Sequence, residues 1–375
     1  MKLDLIATAT FGLEAVVRRE IEALGLKVLK SEDAKITYCG DERAIAKSNL
    51  WLRCADRVFL KMGEFDAYDF EELFQQTKAL PWEEWIPVDG KFPVSGTSVK
   101  SKLHNVPACQ SIVKKAIVEK LKELYCVEHF EESGEEYPVK VTILKDRVTL
   151  AIDTSGAGLH KRGYRARAVT APIKETIAAA MVTLSFWKAG RILVDPCCGS
   201  GTIPIEAAMI GKNIAPGLNR RFVSEGWGNI SEKLWKEERQ QAFEAIDHSA
   251  DIKIFASDID PKAVAAAKAN ADEAGVGEYV SVRAADISGF TPAEKSGIVI
   301  TNPPYGSRIG EEKEIKRIYG SLRKMSAVDP TWSFFVITAD KDFEPAVFGR
   351  PADRRRKLYN GRMETCYYQY HGQKV

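Results

Sequence analysis

The feature that most constrains the fold is an alternation of strand-like and helix-like segments after residue 172. Short apolar runs rich in β-branched residues are followed by longer segments with apolar residues at helical spacing. The segments are 192–194, 203–210, 254–257, 261–274, 280–284, 298–301 and 334–338. This alternation predicts an α/β fold with a mostly parallel sheet covered by helices on both faces.

The C-terminal end departs from the alternation. Two strand-like segments, 354–359 and 363–370, flank Asn360 and Gly361. Asn-Gly is the preferred two-residue turn of a β-hairpin. We therefore expect a C-terminal antiparallel hairpin that places one antiparallel strand at or near the edge of the parallel sheet.

The residues before this α/β region have a mixed pattern. Residues 1–63 contain strand-like segments at 4–9, 27–29 and 36–38 around a helical segment at 12–24. Residues 64–165 contain helical segments at 70–80 and 108–125 and strand-like segments at 92–99, 137–144 and 147–153. We therefore predict two α+β domains, 1–63 and 64–165, in front of a catalytic domain spanning 166–375.

Composition excludes several classes of protein. The seven cysteines form no CxxC pair and the five histidines are scattered, so we expect no disulfide framework and no metal. The apolar runs are too short to span a membrane and the N-terminus has no signal-peptide pattern, which predicts a cytoplasmic protein. The net charge of +2 is too small to indicate nucleic-acid binding by itself.

A glycine-rich turn follows the first strand of the alternating region and precedes a helix. Its sequence matches neither the GxGxxG dinucleotide fingerprint nor a P-loop. Glycines in such a turn permit positive φ and let a ligand approach the backbone at the carboxyl end of the strand. The candidate cofactor ligands in this turn are Asp195, Cys197, Gly199, Gly201 and Thr202.

Two further strands also end in acidic residues. Asp258 can accept hydrogen bonds from ribose hydroxyls, whereas Asp260, which precedes Pro261, is interpreted as a helix cap. Asp286 can accept from an adenine amino group. The apolar residues expected to flank the adenine ring are Ile259 and Ile287.

These three acidic strand ends predict a ligand that contains adenosine and an amine. Asp195 is the expected partner of that amine, directly or through water. Separate helix caps would be the simpler interpretation of any one of these acids.

The buried-strand segment 298–301 ends in Asn302, Pro303, Pro304 and Tyr305. Consecutive prolines stop the ladder and give a stiff loop beside the ligand crevice. The Asn302 side chain and the Pro303 carbonyl can accept the two N–H groups of an exocyclic base amine, and Tyr305 can stack on the base. The tetrapeptide predicts amine methylation, with Asn302 also beside the cofactor, but leaves adenine and guanine, and DNA and RNA, open.

The cofactor turn and the tetrapeptide resemble those of class I S-adenosylmethionine methyltransferases that act on base amino groups. The segments 158–165, 171–176 and 214–227 are similar to those of THUMP-containing RNA methyltransferases, in particular the group related to the N-terminal half of the bacterial large-subunit rRNA guanine-N2 methyltransferase. The resemblance implies a ferredoxin-like domain, a THUMP domain and a Rossmann-like catalytic domain that uses S-adenosyl-L-methionine. It implies N2-methylation of guanine in structured RNA, either 23S rRNA or a ribosomal assembly intermediate. Methylation of tRNA guanine or DNA adenine, and a catalytically silent RNA-binding protein, are the alternatives.

Clusters of basic residues are the expected RNA contacts. The first cluster, at the predicted junction of the second and third domains, contains Lys161, Arg162, Arg165 and Arg167. The second contains Lys100, Lys102, Lys114 and Lys115, and the third contains Arg354, Arg355, Arg356 and Lys357. A solvated charged face is the alternative for any single lysine.

Overall fold

The two α+β units predicted before residue 166 share one β-sheet. The computed structural model describes residues 2–165, 172–289, 296–304, 312–361 and 363–373. The first sheet and its helices are β1 Leu3–Ala9, α1 Glu14–Ala23, β2 Lys27–Glu32, β3 Lys35–Gly40, α2 Glu42–Trp51, β4 Ala55–Asp66, α3 Phe70–Lys78, β5 Val94–Val99, α4 Val106–Tyr125, β6 Val139–Leu144 and β7 Arg147–Asp153. Its strand order is β2-β3-β1-β4-β7-β6-β5.

The long strand β4 joins the two units. Its first half pairs with β1, and its second half pairs with β7, both antiparallel. The boundary predicted between residues 63 and 64 therefore falls inside a strand and not in a linker. A rigid connection follows, because both halves of the sheet share the hydrogen bonds of one strand.

The catalytic region forms a second sheet. Its elements are α5 Glu175–Leu184, β8 Leu193–Asp195, α6 Thr202–Gly211, α7 Glu232–Glu244, β9 Ile254–Asp258, α8 Pro261–Glu273, β10 Val280–Ala284, β11 Ile298–Thr301, α9 Glu312–Val328, β12 Ser333–Thr338, α10 Phe343–Val347, β13 Arg354–Asn360 and β14 Met363–Tyr370. Short 3-10 turns at Trp82–Glu84, Val223–Gly226, Gly277–Tyr279 and Ile287–Gly289 complete the described secondary structure.

The second sheet has the order β10-β9-β8-β11-β12-β14-β13. The neighbours from β10 to β12 are parallel, and β14 is antiparallel to both β12 and β13. This is the Rossmann-like methyltransferase fold that the sequence predicts, with the antiparallel strand one place in from the edge. The strand order reverses between β8 and β11, which is where ligands bind in open α/β sheets.

The C-terminal hairpin forms as predicted, but its turn is displaced. Asn360 pairs with Met363 and is the last residue of β13, so it is not a turn residue. Gly361 follows with φ of 65°, a left-handed conformation that glycine adopts without steric cost. The Asn-Gly pattern therefore marks the hairpin correctly but assigns the asparagine to the turn instead of the strand.

The connection between α6 and β9 packs the catalytic domain against the first sheet. The Gly217 N–H donates to the Leu50 carbonyl at 2.9 Å, and the Ser224 hydroxyl donates to the Thr154 carbonyl at 2.7 Å. The Trp227 indole lies 4.9 Å from the Tyr137 ring, centroid to centroid, in a stacked arrangement. This segment includes residues that carry the family resemblance, and its role in the fold is to join the two sheets.

Within the described ranges, no helix is both long and apolar enough to cross a lipid bilayer. The same residues contain no group of three or more histidine, cysteine, aspartate or glutamate side chains placed to hold a metal ion. All seven cysteines are free.

Candidate cofactor and catalytic site

The turn between β8 and α6 has a tightly specified backbone. The Cys198 N–H donates to the Ser257 carbonyl of β9 at 2.9 Å, and the Gly201 N–H donates to the Cys198 carbonyl at 2.8 Å. Gly199 and Gly201 have φ of 54° and 83°. Because L-amino acids with side chains rarely adopt these angles, the two glycines allow the turn to close directly onto the N-terminus of α6.

Gly201 is also required by packing. A Cβ atom at this position would lie 3.0 Å from the Cβ atom of Ala267 in α8. The buried Asn270 of α8 donates from its side chain to the Ser200 carbonyl at 3.0 Å and so holds the turn from the same side. Asn270 was missed by sequence reasoning, although a polar side chain on the alanine-rich face of a helix was a usable signal.

The two acids at the end of β9 have different roles. The Asp258 carboxylate accepts from the Gly199 N–H at 2.9 Å and from the Asp260 N–H at 3.0 Å, one on each oxygen. Asp260 accepts from the Lys262 N–H at 2.9 Å, which confirms its predicted role as a helix cap. A carboxylate has about four acceptor positions, so Asp258 retains capacity for two ribose hydroxyls.

The end of β10 supplies the third acid. The Asp286 carboxylate accepts from the Ser288 N–H at 2.8 Å and forms an ion pair with Arg317 of α9. Ile259 is 53% exposed beside it along the sheet edge, a large apolar surface available to a planar ring. Ile287, expected to flank the opposite face of the ring, is only 4% exposed and packs in the core with Val299.

A hydrogen bond joins the cofactor turn to the catalytic strand. The Thr301 hydroxyl at the end of β11 donates to Asp195 Oδ1 at 2.7 Å, and the Cys197 N–H donates to the same oxygen at 3.2 Å. Among the described residues, Asp195 Oδ2 accepts no hydrogen bond. Burial raises the pKa of Asp195 from 3.8 to about 7, against the opposing effect of these two donors.

The residues after Thr301 lie at the switch point between β8 and β11. Asn302 is half-buried, Pro303 is buried and Pro304 is exposed. Tyr305, predicted to stack on the base, lies outside the described residues. Asn302 directly follows Thr301, so the hydrogen bond from Thr301 to Asp195 brings Asn302 close to the cofactor turn. Asn302 and Asp195 are more than 100 positions apart in the sequence.

One of the predicted RNA contacts is internal. Arg162 is 3% exposed and lies within 3.4 Å of both carboxylate oxygens of Glu206, a buried residue of α6. Its guanidinium also donates to the Leu159 carbonyl at 2.6 Å. The prediction that Arg162 contacts RNA is wrong, because a phosphate could reach this side chain only if the domain junction opened.

Arg165 is likewise engaged inside the protein. Its guanidinium donates to Glu175 Oε1 at 2.8 Å, to the Thr202 hydroxyl at 3.1 Å and to the Ile173 carbonyl at 3.2 Å. Thr202 is the first residue of α6, directly after the cofactor turn. Arg165 therefore links the domain junction to the cofactor site. Because it is only half-buried, its assignment as an RNA contact stays a prediction.

The remaining predicted RNA contacts differ in accessibility. Lys161, Lys100 and Lys102 are exposed, so their assignment stays a prediction. Lys102 lies over the Tyr68 ring at 4.8 Å. Arg167 lies outside the described residues.

The described residues fit an S-adenosylmethionine molecule at the switch point. Asp258 offers free acceptor positions for the ribose, Ile259 offers an exposed apolar face for the adenine, and Asp195 offers an unused carboxylate oxygen for the amine. Together with the strand order, this arrangement defines an S-adenosylmethionine-dependent methyltransferase.

Comparison with known proteins identifies the family. The family described as RMKL-like, methyltransferase domain matches residues 162–369, more than half of the chain. The RlmL ferredoxin-like domain matches residues 4–59 and the THUMP domain matches residues 67–153. The chain belongs to the RMKL-like methyltransferase family, and it carries both of these domains in front of the catalytic one.

Individual relatives cover nearly the whole chain. YpsC of Bacillus subtilis (strain 168), which is named as an RNA methyltransferase, is 48% identical over 98% of this chain and 96% of its own length. A solved structure from Listeria monocytogenes, described as a predicted N6-adenine-specific DNA methylase, superposes with a TM-score of 0.95 at 48% identity, covering 100% and 97% of the two chains. The methyltransferase SMU.472, solved in complex with SAH, superposes with a TM-score of 0.94 at 44% identity, covering 100% and 99%.

Proposed function

We propose that the protein transfers a methyl group from S-adenosylmethionine to the exocyclic N2 of a guanine in structured RNA, with 23S rRNA as the leading substrate. The observation that carries the proposal is the 2.7 Å hydrogen bond between Thr301 and Asp195. It fixes the start of the Asn302–Pro303 segment against the residue assigned to the cofactor amine. The amine-binding segment and the methyl donor then meet at one point of the sheet edge.

The chemistry of the target explains why these residue types suit it. The lone pair of an exocyclic base amine is delocalised into the ring, which makes the nitrogen a poor nucleophile. The Asn302 side-chain oxygen and the Pro303 carbonyl can each accept one N–H of this amine, which favours a more tetrahedral nitrogen directed at the donor methyl group. Bound S-adenosylmethionine supplies an electrophilic methyl group, so the nitrogen loses its proton only after transfer and needs no strong general base.

RNA is favoured over DNA by residues outside the catalytic tetrapeptide. A THUMP domain precedes the catalytic domain, and YpsC, similar along almost its entire length, is named as an RNA methyltransferase. The exposed Lys161, Lys100 and Lys102 can meet phosphates. DNA adenine-N6 methylation is the competing assignment, because it uses the same amine chemistry and a relative of equal identity carries that description.

The substrate is tested by mass spectrometry of nucleosides from a deletion strain. We expect N2-methylguanosine to decrease in 23S rRNA, with tRNA and DNA unchanged, and to return when the gene is restored. A loss confined to tRNA would change the substrate but keep the chemistry. Loss of N6-methyladenine from DNA, with rRNA unchanged, would refute the proposal, and failure of the purified protein to bind S-adenosylhomocysteine would favour the silent RNA-binding alternative.

Asn302→Ala tests the assigned chemistry. Removal of one orienting acceptor should lower kcat by about 100- to 1000-fold, the range seen when one preorganised catalytic hydrogen-bonding group is removed. The affinity for S-adenosylhomocysteine, measured by calorimetry, should change little, since Asp195 and Asp258 remain in place. Near wild-type turnover of the variant would show that Asn302 does not orient the amine.

A further inference from the structure

A groove of about 610 Å³ lies between the N-terminal domain and the edge of the catalytic sheet, away from the cofactor crevice. Helix α1, the turn after α5 and strand β13 form its walls. We call it the arginine groove and define it by Arg18, Arg19, Phe186, Arg354, Arg355 and Arg356. The proposed methyl transfer does not use this groove.

Much of the positive charge in the groove is uncompensated. Arg18 pairs with Glu22 at 2.9 Å and Arg355 pairs with Glu344 at 2.7 Å. Within the described ranges, Arg19 and Arg354 are exposed and have no acidic partner within ion-pair distance.

Arg356 adds to this charge. One of its guanidinium nitrogens donates to the Gly12 carbonyl at 2.5 Å, and its buried Nε has no hydrogen-bond partner among the residues that the structure describes. Three of the five arginines therefore form no ion pair with a described acidic residue and can attract an anionic partner.

Phe186 has an unusual conformation. It follows the C-cap residue Ser185 of α5 with φ of 58°, in the left-handed region where glycine or asparagine is normally found. Its side chain is nevertheless 58% exposed, so burial of the ring does not offset the backbone strain. A strained aromatic residue that is not packed indicates a role for its ring in contact with something outside this chain.

We propose that the arginine groove binds an unpaired segment of the RNA substrate, with a base stacked on Phe186 and phosphates contacted by Arg19 and Arg354. The inference rests on the proposed RNA function and adds a contact site to it. Guanidinium groups suit phosphate, and an exposed aromatic ring suits the face of a base, a combination typical of single-strand binding. An acidic protein segment would use the charge but would give the ring no comparable partner.

The groove contacts RNA outside the target nucleotide. Strand β13 runs from Arg354 in the groove to Asn360, which pairs with Met363 at the start of β14. Because β14 is antiparallel to β12, this pair lies at the carboxyl ends of the parallel strands, where the cofactor turn also lies. At about 3.3 Å per residue this separates the two sites by on the order of 20 Å. Groove variants should therefore weaken RNA binding and raise KM for RNA while leaving kcat at saturating RNA unchanged.

Phe186→Gly separates binding from folding. Glycine suits the left-handed backbone, so the thermal midpoint should stay equal or rise. The affinity of the full-length protein for a fluorescent single-stranded oligouridylate should fall by about 5- to 100-fold, the range expected for loss of one stacked base. Phe243→Ala, at a 65% exposed phenylalanine of α7 outside the groove, is the matched control and should bind RNA like wild type.

The double substitution Arg19→Gln/Arg354→Gln tests the phosphate contacts. The slope of log affinity against log salt should become shallower by about 0.7 for each contact removed from a single strand. Unchanged RNA affinity and salt slope in this variant and in Phe186→Gly would overturn the groove assignment while leaving the proposed function standing. If the wild-type protein bound neither the oligouridylate nor 23S rRNA, the proposed function itself would fail.

Discussion

The two groups of arginines differ in how sequence position relates to accessibility. Arg162 and Arg165 belong to a compact basic run in the sequence, yet each forms an ion pair with a carboxylate of the catalytic domain. Arg19 and Arg354 are more than 300 positions apart, yet both are exposed and line one groove. A run of basic residues thus indicates where charge is placed along the chain, whereas the packing of other elements decides whether that charge meets solvent.

The sequence contained a signal that Arg162 would be buried. Glu206 is a single acid in the otherwise apolar segment Thr202–Gly211, and it is fully buried. A lone carboxylate on such a helix requires a buried partner, because burial of an unpaired charge is costly. The Arg162 guanidinium and the Tyr164 hydroxyl, which donates to Glu206 Oε1 at 3.0 Å, fill this requirement.

The largest expected effect comes from removing the buried ion pair between Arg162 and Glu206. Among the described residues, Arg162 is the cation that forms an ion pair with the buried Glu206, whereas Arg53 interacts with Glu206 without such a pair. Arg162→Ala breaks this pair, so the free energy of unfolding should fall by about 3–5 kcal/mol, as for other broken buried pairs. Urea denaturation followed by tryptophan fluorescence measures this loss. Lys161→Ala, at the exposed neighbouring position, is the matched control and should change the stability by less than about 0.5 kcal/mol.

A second variant separates stability from RNA contact. Arg162→Met/Glu206→Leu removes both charges and should recover much of the lost stability, since apolar replacements of a buried pair are often neutral or better. If Arg162→Ala kept wild-type stability but lost affinity for RNA, the arginine would be a phosphate contact and the distinction between the two groups would fail.

Much of the catalytic fold could be predicted because each of its elements carries a local pattern. The segments 280–284 and 298–301 coincide with β10 and β11, and the helix predicted at 261–274 extends one residue beyond α8. Helix α9 was not predicted, although Ile318, Leu322 and Met325 recur at helical spacing and are buried. Strand β4 was missed for a different reason: it spans both N-terminal units, so its pairing depends on residues far away in the sequence.

The candidate site was predictable to the level of residue types but not of contacts. The acids at the ends of β8, β9 and β10 follow from strand position alone, since parallel strands end at the same edge. The hydrogen bond from Thr301 to Asp195 and the support of the turn by Asn270 depend on which strands and helices are neighbours. Strand order is a tertiary property, and no local pattern in the sequence specifies it.

Burial also determines how Asp195 responds to pH, which gives the next largest effect. Its pKa of about 7 lies above the usual 3.8, so the folded protein retains a proton that the unfolded chain has lost. This contribution to the free energy of unfolding is therefore complete below about pH 4 and is lost as the pH rises to about 7. The bound amine of the cofactor favours the ionised carboxylate, so the affinity for S-adenosylhomocysteine should rise from pH 6 to pH 8.

Calorimetry at several pH values measures this dependence. Below pH 7 the affinity should decrease by up to about tenfold per pH unit, the limit when binding releases one proton from the carboxyl group. Asp195→Asn cannot ionise, so its affinity should be lower and nearly independent of pH over the same range. A wild-type affinity that is constant from pH 6 to pH 8 would contradict the titration of Asp195 in this range. If Asp195→Asn also bound like wild type, Asp195 would not contact the amine.

The smallest expected effect concerns Arg165, which connects the domain junction to the cofactor turn. Arg165→Ala removes the donor to the Thr202 hydroxyl at the start of α6, and the affinity for S-adenosylhomocysteine should fall by about three- to tenfold, equivalent to about 0.7–1.4 kcal/mol. Thr202→Val, which removes only the acceptor, should reproduce much of this loss, because the arginine acts on the cofactor turn through that hydroxyl. RNA affinity measured without cofactor should not change in either variant. An Arg165→Ala protein with intact cofactor affinity and weakened RNA binding would place this residue with the exposed arginines of the groove.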